Sequence, residues 1–109
     1  MELSTALDAL HALSQEYRLQ AFRHLVQAGP SGRTVGELRE ALAIPPATLS
    51  AHLNVMRAAG LVRDQREGRV IRLFADYAQM DALLGYLTEN CCAGSAAVQN
   101  LCAPTARCA

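Results

Sequence analysis

Lysine and tryptophan are absent from this sequence, and aromatic residues make up only 5% of its 109 positions. The missing lysine leaves ten basic residues that are all arginine, a bias that we attribute to genome composition rather than to function. The shortage of aromatic residues, together with abundant alanine and leucine, disfavours a β-sandwich or barrel and favours packed helices. A chain of this length has room for one compact domain, which excludes a multidomain enzyme.

Membrane-spanning and secretory signals are also missing. No apolar run approaches the roughly 20 residues that cross a bilayer. The N-terminal segment MELSTALDAL contains neither a basic stretch nor a continuous apolar stretch. We therefore expect a cytoplasmic protein without a membrane partner.

A catalytic constellation is lacking as well. The spacing from Cys102 to Arg107 is one residue short of the cysteine-to-arginine phosphate loops that it superficially resembles, and Pro104 removes a backbone donor. No serine, histidine and carboxylate arrangement replaces it. We expect no enzymatic activity.

The net charge is zero, yet the charges are unevenly placed along the chain. Residues 1–16 and 73–106 contain acidic residues and no basic ones. Residues 47–72, in contrast, hold five arginines against two acidic residues, which gives this segment a net charge of +3. The five are Arg57, Arg63, Arg66, Arg69 and Arg72. A basic stripe of this kind predicts contact with phosphate groups.

All four cysteines lie in the last 19 residues of the sequence, at Cys91, Cys92, Cys102 and Cys108. Cysteines that pack a core would be scattered through the helices and strands, and structural disulfides are rare in a reducing cytosol. The cluster therefore indicates metal binding or redox chemistry. It divides the chain into a folded domain over residues 1–90 and a cysteine-rich tail over residues 91–109.

Helical periodicity dominates the first third of the sequence. Leucines at positions 3, 7, 10 and 13 predict an amphipathic first helix. A second helix is expected over residues 16–28, before the breaker cluster Gly-Pro-Ser-Gly and a loop over residues 29–33. Its predicted inward residues are Leu19, Phe22, Leu25 and Val26.

The third and fourth helices are predicted from their first residues. Thr34, with Glu37 three positions later, forms a capping-box pattern that opens a helix of about two turns. Pro46 suits the first turn of a fourth helix, and Gly60 suits the position after its end. The predicted buried stripe of this fourth helix is Leu49, Leu53 and Met56.

Two β-like runs follow, over residues 61–65 and 70–75, and Arg66-Glu67-Gly68-Arg69 joins them as a hairpin. A last helix from about residue 77 places one apolar stripe on a single face. Its predicted members are Met80, Leu83, Leu84, Leu87 and Cys91. The predicted fold is therefore mainly α (α+β), in the order α-α-α-α-β-β-α, which is typical of a winged helix-turn-helix.

In such a fold the fourth helix would enter the DNA major groove, and the hairpin would contact the flanking backbone or minor groove. Both elements supply donors suited to base edges and phosphates, although the same residue types also occur on solvated surfaces. For His52 we prefer packing or phosphate binding over metal ligation, because His11 and His24 lack ligand spacing to it. The candidate DNA-binding residues are Thr48, Ser50, His52, Asn54, Arg57, Arg66 and Arg69.

Several stretches of this sequence resemble the ArsR/SmtB family of bacterial metal-responsive repressors. They are residues 12–26, 36–42, 46–53 and 59–62, and the overall resemblance covers residues 3–90. It implies a homodimeric repressor whose first and last helices form the interface, whose fourth helix reads operator DNA, and whose metal or metalloid inducer releases the DNA. Ala43 departs from the family, which usually has glycine in this turn, and a positive φ there would cost about 1 kcal/mol.

The family places its sensor sites on several elements, and two of these sites are missing from this sequence. The predicted third helix has no thiol for the arsenic site that the family places there. Residues 76–90 contain no histidine for the zinc site of the last helix. The C-terminal cysteines remain, and they resemble a family branch in which an adjacent pair and a later cysteine bind trivalent arsenic.

Trivalent arsenic and antimony are soft centres that prefer three thiolates. Cys91 and Cys92 bring two sulfurs together, and the segment that follows is flexible enough in composition for Cys102 to supply the third. We therefore expect As(III) or Sb(III) as the inducer, bound by the tail over residues 91–109, with no organic cofactor. Cys108 is an alternative third ligand, a fourth ligand or a spare thiol.

Two alternatives within the same fold stay open. Clustered thiols can form a disulfide, which would make the protein a redox-sensing repressor. The same cysteines could also hold zinc or cadmium, although zinc more often uses two cysteines separated by two residues.

Overall fold

The computed structural model describes residues 1–90, and all four predicted cysteine ligands lie outside that range. The bounds of the helices and strands are α1 Leu3–Leu13, α2 Glu16–Ala28, β1 Arg33–Thr34, α3 Val35–Leu42, α4 Pro46–Ala58, β2 Val62–Glu67, β3 Val70–Ala75 and α5 Tyr77–Leu87. A short 3₁₀ turn over Gly29–Ser31 links α2 to β1. The predicted winged helix-turn-helix order is confirmed, with β1 added in a segment that we predicted as loop. Within residues 1–90 no helix is long and apolar enough to cross a membrane.

Local side-chain bonds explain where several helices begin. The Glu37 backbone N–H donates to Thr34 Oγ1 at 3.1 Å, and the Thr34 backbone N–H donates to Glu37 Oε1 at 2.8 Å. This confirms the predicted capping box of α3. The Asp76 carboxylate caps α5 in a similar way, by accepting from the Gln79 backbone N–H at 3.0 Å.

The core lies between α2, α3, α4 and the sheet. Its fully buried large side chains are Leu25, Leu38, Leu49, Leu53, Met56, Leu61 and Leu73. The predicted stripe of α4 is therefore confirmed, as are Phe22 and Leu25 of α2. The prediction for Leu19 is wrong, because this side chain lies on the outer side of α2 and is 44% exposed.

Helix α1 packs against the core with alanines rather than leucines. Ala6, Ala9 and Ala12 are buried, and their small side chains allow α1 to lie close to α2 and α4. Leu3, Leu7 and Leu10 are 62%, 56% and 39% exposed. The leucine stripe that the sequence predicts thus exists, but most of it faces away from the core of its own chain. Leu87 of α5, which packs beside α1, is also exposed, at 53%.

The three strands form an antiparallel sheet in the order β1-β3-β2. Strand β1 pairs with β3 because Gly32 allows close approach: a Cβ there would lie 2.5 Å from the Leu73 carbonyl oxygen. Strands β2 and β3 are joined by the two-residue turn Gly68-Arg69, in which Gly68 has a φ of +64°. Arg66, predicted in the turn, therefore belongs to β2. We call the β2–β3 hairpin the wing.

Two backbone positions differ from the simplest sequence expectation. Ala43 follows α3 in the left-handed region, with φ 54° and ψ 47°, so the turn has the conformation that glycine would adopt without strain. Helix α5 ends at Leu87, and Asn90 has a φ of +56°. The described part of α5 therefore stops four residues before Cys91, and the predicted place of Cys91 in its apolar stripe lies outside the described residues.

Candidate nucleic-acid interface

Helix α4 has a buried side and a polar exposed side. The exposed residues of its first three turns are mostly small, which allows another surface to approach the helix closely. They are Pro46, Ala47, Thr48, Ser50, Ala51 and Asn54. Within residues 1–90 neither the Thr48 nor the Ser50 hydroxyl has a hydrogen-bond partner. Both exposed hydroxyls are therefore available to donate to or accept from an external partner.

Arg57, near the C-terminal end of α4, makes hydrogen bonds to other residues of the same chain. Its Nε donates to Asp64 Oδ1 at 3.0 Å, and its NH1 donates to Asn54 Oδ1 at 3.1 Å. The first bond ties α4 to β2, and the second occupies the amide oxygen of Asn54. Asn54 can still donate through its NH₂ group, whereas the Arg57 charge is largely neutralised by Asp64.

The acidic residues of the basic segment neutralise two of its five arginines. Arg72 Nε lies 3.1 Å from Glu67 Oε1, and its NH1 donates to the Ser31 carbonyl at 2.9 Å. Together with the pair between Arg57 and Asp64, this leaves three arginines. Arg63 lies against the Phe74 ring and 3.9 Å from Asp76. The other two, Arg66 and Arg69, make no ion pair within residues 1–90, so the net positive charge of the segment is concentrated on the wing.

Strand alternation places Arg66 on the same face of the wing as Asp64, because side chains two positions apart point the same way. Asp64 on this face contacts Arg57 of α4. Arg66 pairs in register with Ile71, two residues further along β2 than Asp64, which pairs with the buried Leu73. Arg66 therefore extends from the helix-facing side of the wing, and Arg69 lies at its tip.

His52 lies on a different side of α4 from Ser50 and Asn54. Residues two positions apart on a helix differ by about 200° around its axis, so Ser50 and His52 point in nearly opposite directions. His52 Nδ1 lies 3.3 Å from Arg18 NH1, and its ring lies 6.0 Å from the Tyr17 ring, measured between centroids. Burial, and then the Arg18 charge, lowers the pKa of His52 below its ordinary value of 6.5.

The structure thus brings together part of the predicted site. Ser50 and Asn54, four positions apart, share one side of α4, Thr48 is exposed about 200° around the helix axis from Ser50, and Arg66 and Arg69 lie on the wing. Sequence reasoning missed Asp64 and Arg18, which hold Arg57 and His52. Asp64 lies seven residues from its partner and Arg18 lies 34 residues from its partner, so helical spacing gave no signal for either contact.

The metal-site predictions concern a different part of the chain. Within residues 1–90 no group of three His, Cys, Asp or Glu side chains could hold a metal ion. Cys91, Cys92, Cys102 and Cys108 lie outside the described residues, so their proposed ligand roles stay predictions.

Comparison with known proteins agrees with this geometry. A helix-turn-helix domain family matches residues 13–65. Over 76 residues the chain is 37% identical to the HTH-type transcriptional repressor SmtB of Mycobacterium tuberculosis. That match covers 69% of this chain, but the chain spans only about half, 54%, of the length of that repressor.

Solved structures show the same fold at similar size. The transcriptional repressor BigR of Xylella fastidiosa is 30% identical, with a TM-score of 0.62 over 79% of this chain and 85% of that one. The homodimeric winged helix-turn-helix DNA-binding domain of a possible ArsR-family transcriptional regulator from Mycobacterium bovis is 27% identical. Its TM-score is 0.64, over 81% of this chain and 82% of that one.

Proposed function

Because this chain belongs to the ArsR/SmtB family of transcriptional regulators, we propose that it is a dimeric repressor of the metalloid-responsive kind. It binds operator DNA through α4 and the wing. Trivalent arsenic or antimony, bound by thiolates of the C-terminal cysteines, releases it from the DNA.

The observation that carries the DNA-binding part is the concentration of uncompensated charge on the wing, next to the polar side of α4. Arg66 and Arg69 supply phosphate contacts, which set affinity and its salt dependence. Ser50 and Asn54 on one side of α4, and Thr48 exposed in its first turn, supply hydrogen bonds to base edges or phosphates, and the small exposed residues between them allow close approach. A protein with zero net charge can bind DNA in this way because eight of its ten acidic residues lie outside residues 47–72.

The proposed dimer uses the exposed leucines of α1 and α5. Leu3, Leu7, Leu10 and Leu87 lie on two helices that pack beside each other, and a monomer would leave all four in water. The homodimeric neighbour from M. bovis has the same fold. A two-fold dimer would also present two copies of α4 to a pseudo-palindromic operator.

The proposed sensor is the cysteine group that begins directly after the described domain. Cys91 follows the end of α5 by four residues, so a ligand held there would act next to a helix of the proposed dimer interface. Three thiolates match the preferred coordination of As(III) and Sb(III). A coupling free energy of about 1 to 3 kcal/mol between this site and the DNA site would weaken operator affinity by roughly 5- to 150-fold.

A DNA-release titration tests this proposal. Wild type and the four single Cys→Ser variants are titrated with arsenite, a methylarsenical, zinc and peroxide while bound to fluorescent operator DNA. We expect arsenite to release wild type and Cys108→Ser, and to fail with Cys91→Ser or Cys92→Ser. Cys102→Ser should lose the arsenite response and keep the methylarsenical response, since that ligand has only two exchangeable positions.

The other outcomes identify the alternatives. Release of Cys91→Ser and Cys92→Ser by arsenite would show that the proposed site is wrong. Release of wild type by peroxide alone would show a redox-sensing repressor, and release by zinc alone would show a zinc-responsive repressor.

A further inference from the structure

Arg18 connects two helices to which it does not belong. From α2, its Nε donates to the Ala12 carbonyl at 2.6 Å, and its NH2 donates to the His11 carbonyl at 3.5 Å. Its NH1 lies 3.3 Å from Nδ1 of His52. One guanidinium therefore binds the C-terminal end of α1 and the middle of α4 at once.

The chemistry of both ends suits an arginine. The last carbonyls of a helix have no partner within the helix and carry partial negative charge, which a cation stabilises. The planar guanidinium presents several N–H groups in fixed directions, so it can serve two carbonyls and a third acceptor together. Lysine has the same charge but lacks this planar set of N–H groups in fixed directions.

His52 is held as an acceptor. A guanidinium always donates, so Nδ1 must be unprotonated to accept from Arg18, and the ring proton then lies on Nε2. The groups that face the ring from α2 are Arg18 and Tyr17, and α1 contributes the carbonyls that fix the Arg18 guanidinium. A second proton on His52 would remove the acceptor and place two cations in contact.

We propose that Arg18 is a positioning residue for DNA recognition, which links the end of α1 to α4 through neutral His52. The inference rests on the proposed DNA-binding function and adds a route for its regulation. Helix α4 is held to the wing by Arg57 and to α1 by Arg18. Because α1 carries the exposed leucines of the proposed dimer interface, a shift of that interface moves α4 through the Arg18 contact.

Arg18→Gln tests the link, with Arg23→Gln as a matched control. Both variants remove one arginine charge from α2, and Arg23 is exposed and makes no side-chain hydrogen bond or ion pair within residues 1–90. We expect Arg18→Gln to weaken operator affinity by about 2- to 30-fold, the range of such couplings, while Arg23→Gln changes it less than 2-fold. Arg18→Lys should retain folding through its charge and still lose affinity. Equal effects of Arg18→Gln and Arg23→Gln would overturn the proposal.

A double-mutant cycle separates positioning from general stability. If Arg18 acts through His52, the loss caused by Arg18→Gln should disappear when it is measured in a His52→Leu background. Additive losses would show that Arg18 stabilises the fold without positioning α4, and would reject the inference. Sedimentation and thermal unfolding of each variant confirm that folded dimers are compared.

The protonation state of His52 gives a readout that needs no DNA. Ring NMR should show the proton on Nε2 in wild type, and Arg18→Gln should raise the pKa of His52 because the nearby cation is gone. An unchanged pKa and tautomer would contradict the contact.

Operator affinity should fall as pH drops below 6.5 in wild type and in His24→Asn, and this fall should be smaller in His52→Asn, whose amide oxygen accepts at every pH. An equal fall in His52→Asn would reject the link. If wild type binds no DNA while the NMR results hold, the proposed function fails and the Arg18 contact stands.

Discussion

Arg57 and Asp64 join α4 to the wing through a 3.0 Å ion pair, and this pair removes an arginine from the charge available to DNA. Asp64→Asn should return the Arg57 charge to the surface. We expect nonspecific DNA affinity to rise, with a salt dependence steeper by about one counterion, and discrimination in favour of the operator to fall because α4 is less firmly held. Fluorescence anisotropy over a salt series measures both. Glu89→Gln, an exposed change of equal charge after α5, is the control, and an equal effect there would contradict the assigned role.

Arg69 at the wing tip should act mainly on phosphate. Arg69→Ala is expected to weaken operator and random DNA to a similar extent and to lower the salt slope by about one. Arg23→Ala removes the same charge from α2 and should leave both affinities nearly unchanged. A loss confined to the operator would mean that Arg69 reads bases instead.

Leu7 and Leu19 are both exposed leucines, but only Leu7 belongs to the α1 surface that we propose as the dimer interface. Leu7→Glu should weaken dimerisation by about 30-fold or more, as expected when a central apolar contact worth ~2 kcal/mol is replaced by a charge. Leu19→Glu should remain dimeric. Sedimentation velocity at micromolar concentration distinguishes them, and a wild-type protein that is monomeric there would refute the interface.

Ala43 adopts a left-handed conformation that glycine adopts without strain. Ala43→Gly should therefore raise the free energy of unfolding by about 0.5 to 1 kcal/mol. Ala41→Gly, two residues earlier within α3, should lower it by a similar amount because glycine destabilises a helix interior. Urea unfolding measures both, and a change of the same sign in the two variants would be inconsistent with strain at Ala43.

Ionised Glu37 at the start of α3 makes the stability of the fold depend on pH. Hydrogen bonds from the Thr34 backbone N–H, and then from its hydroxyl, hold the pKa of Glu37 below its ordinary value of 4.5. A lowered pKa means that the unfolded chain binds the proton more readily, so this group stabilises the fold above pH 4.5 and the stabilisation is lost as pH falls through the folded-state pKa. Glu37→Gln should reduce the loss of stability between pH 5 and pH 3, whereas Glu40→Gln leaves the cap intact and should preserve it.

The sequence by itself determined the elements and their ends. The capping pair of Thr34 and Glu37, the proline that opens α4 and the glycine of the wing turn act on residues within four positions, so a linear pattern contains all the information they need. The buried stripe of α4 follows from its periodicity for the same reason. Strand β1 was not predicted, because two residues are too few for a pattern and the strand exists only through its pairing with β3.

Only the tertiary structure decided which residues or surfaces each apolar or charged side chain contacts. Periodicity identified the leucines of α1 as one face, but packing placed the alanine face against the core, since only small side chains fit between α1 and its neighbours. The sequence predicted His52 and Arg57 as DNA contacts beside Ser50. In the fold, His52 contacts Arg18 and Arg57 contacts Asp64. Such pairings depend on which elements meet in space, because a charge or ring takes the nearest partner that the packed chain supplies, however far away along the sequence.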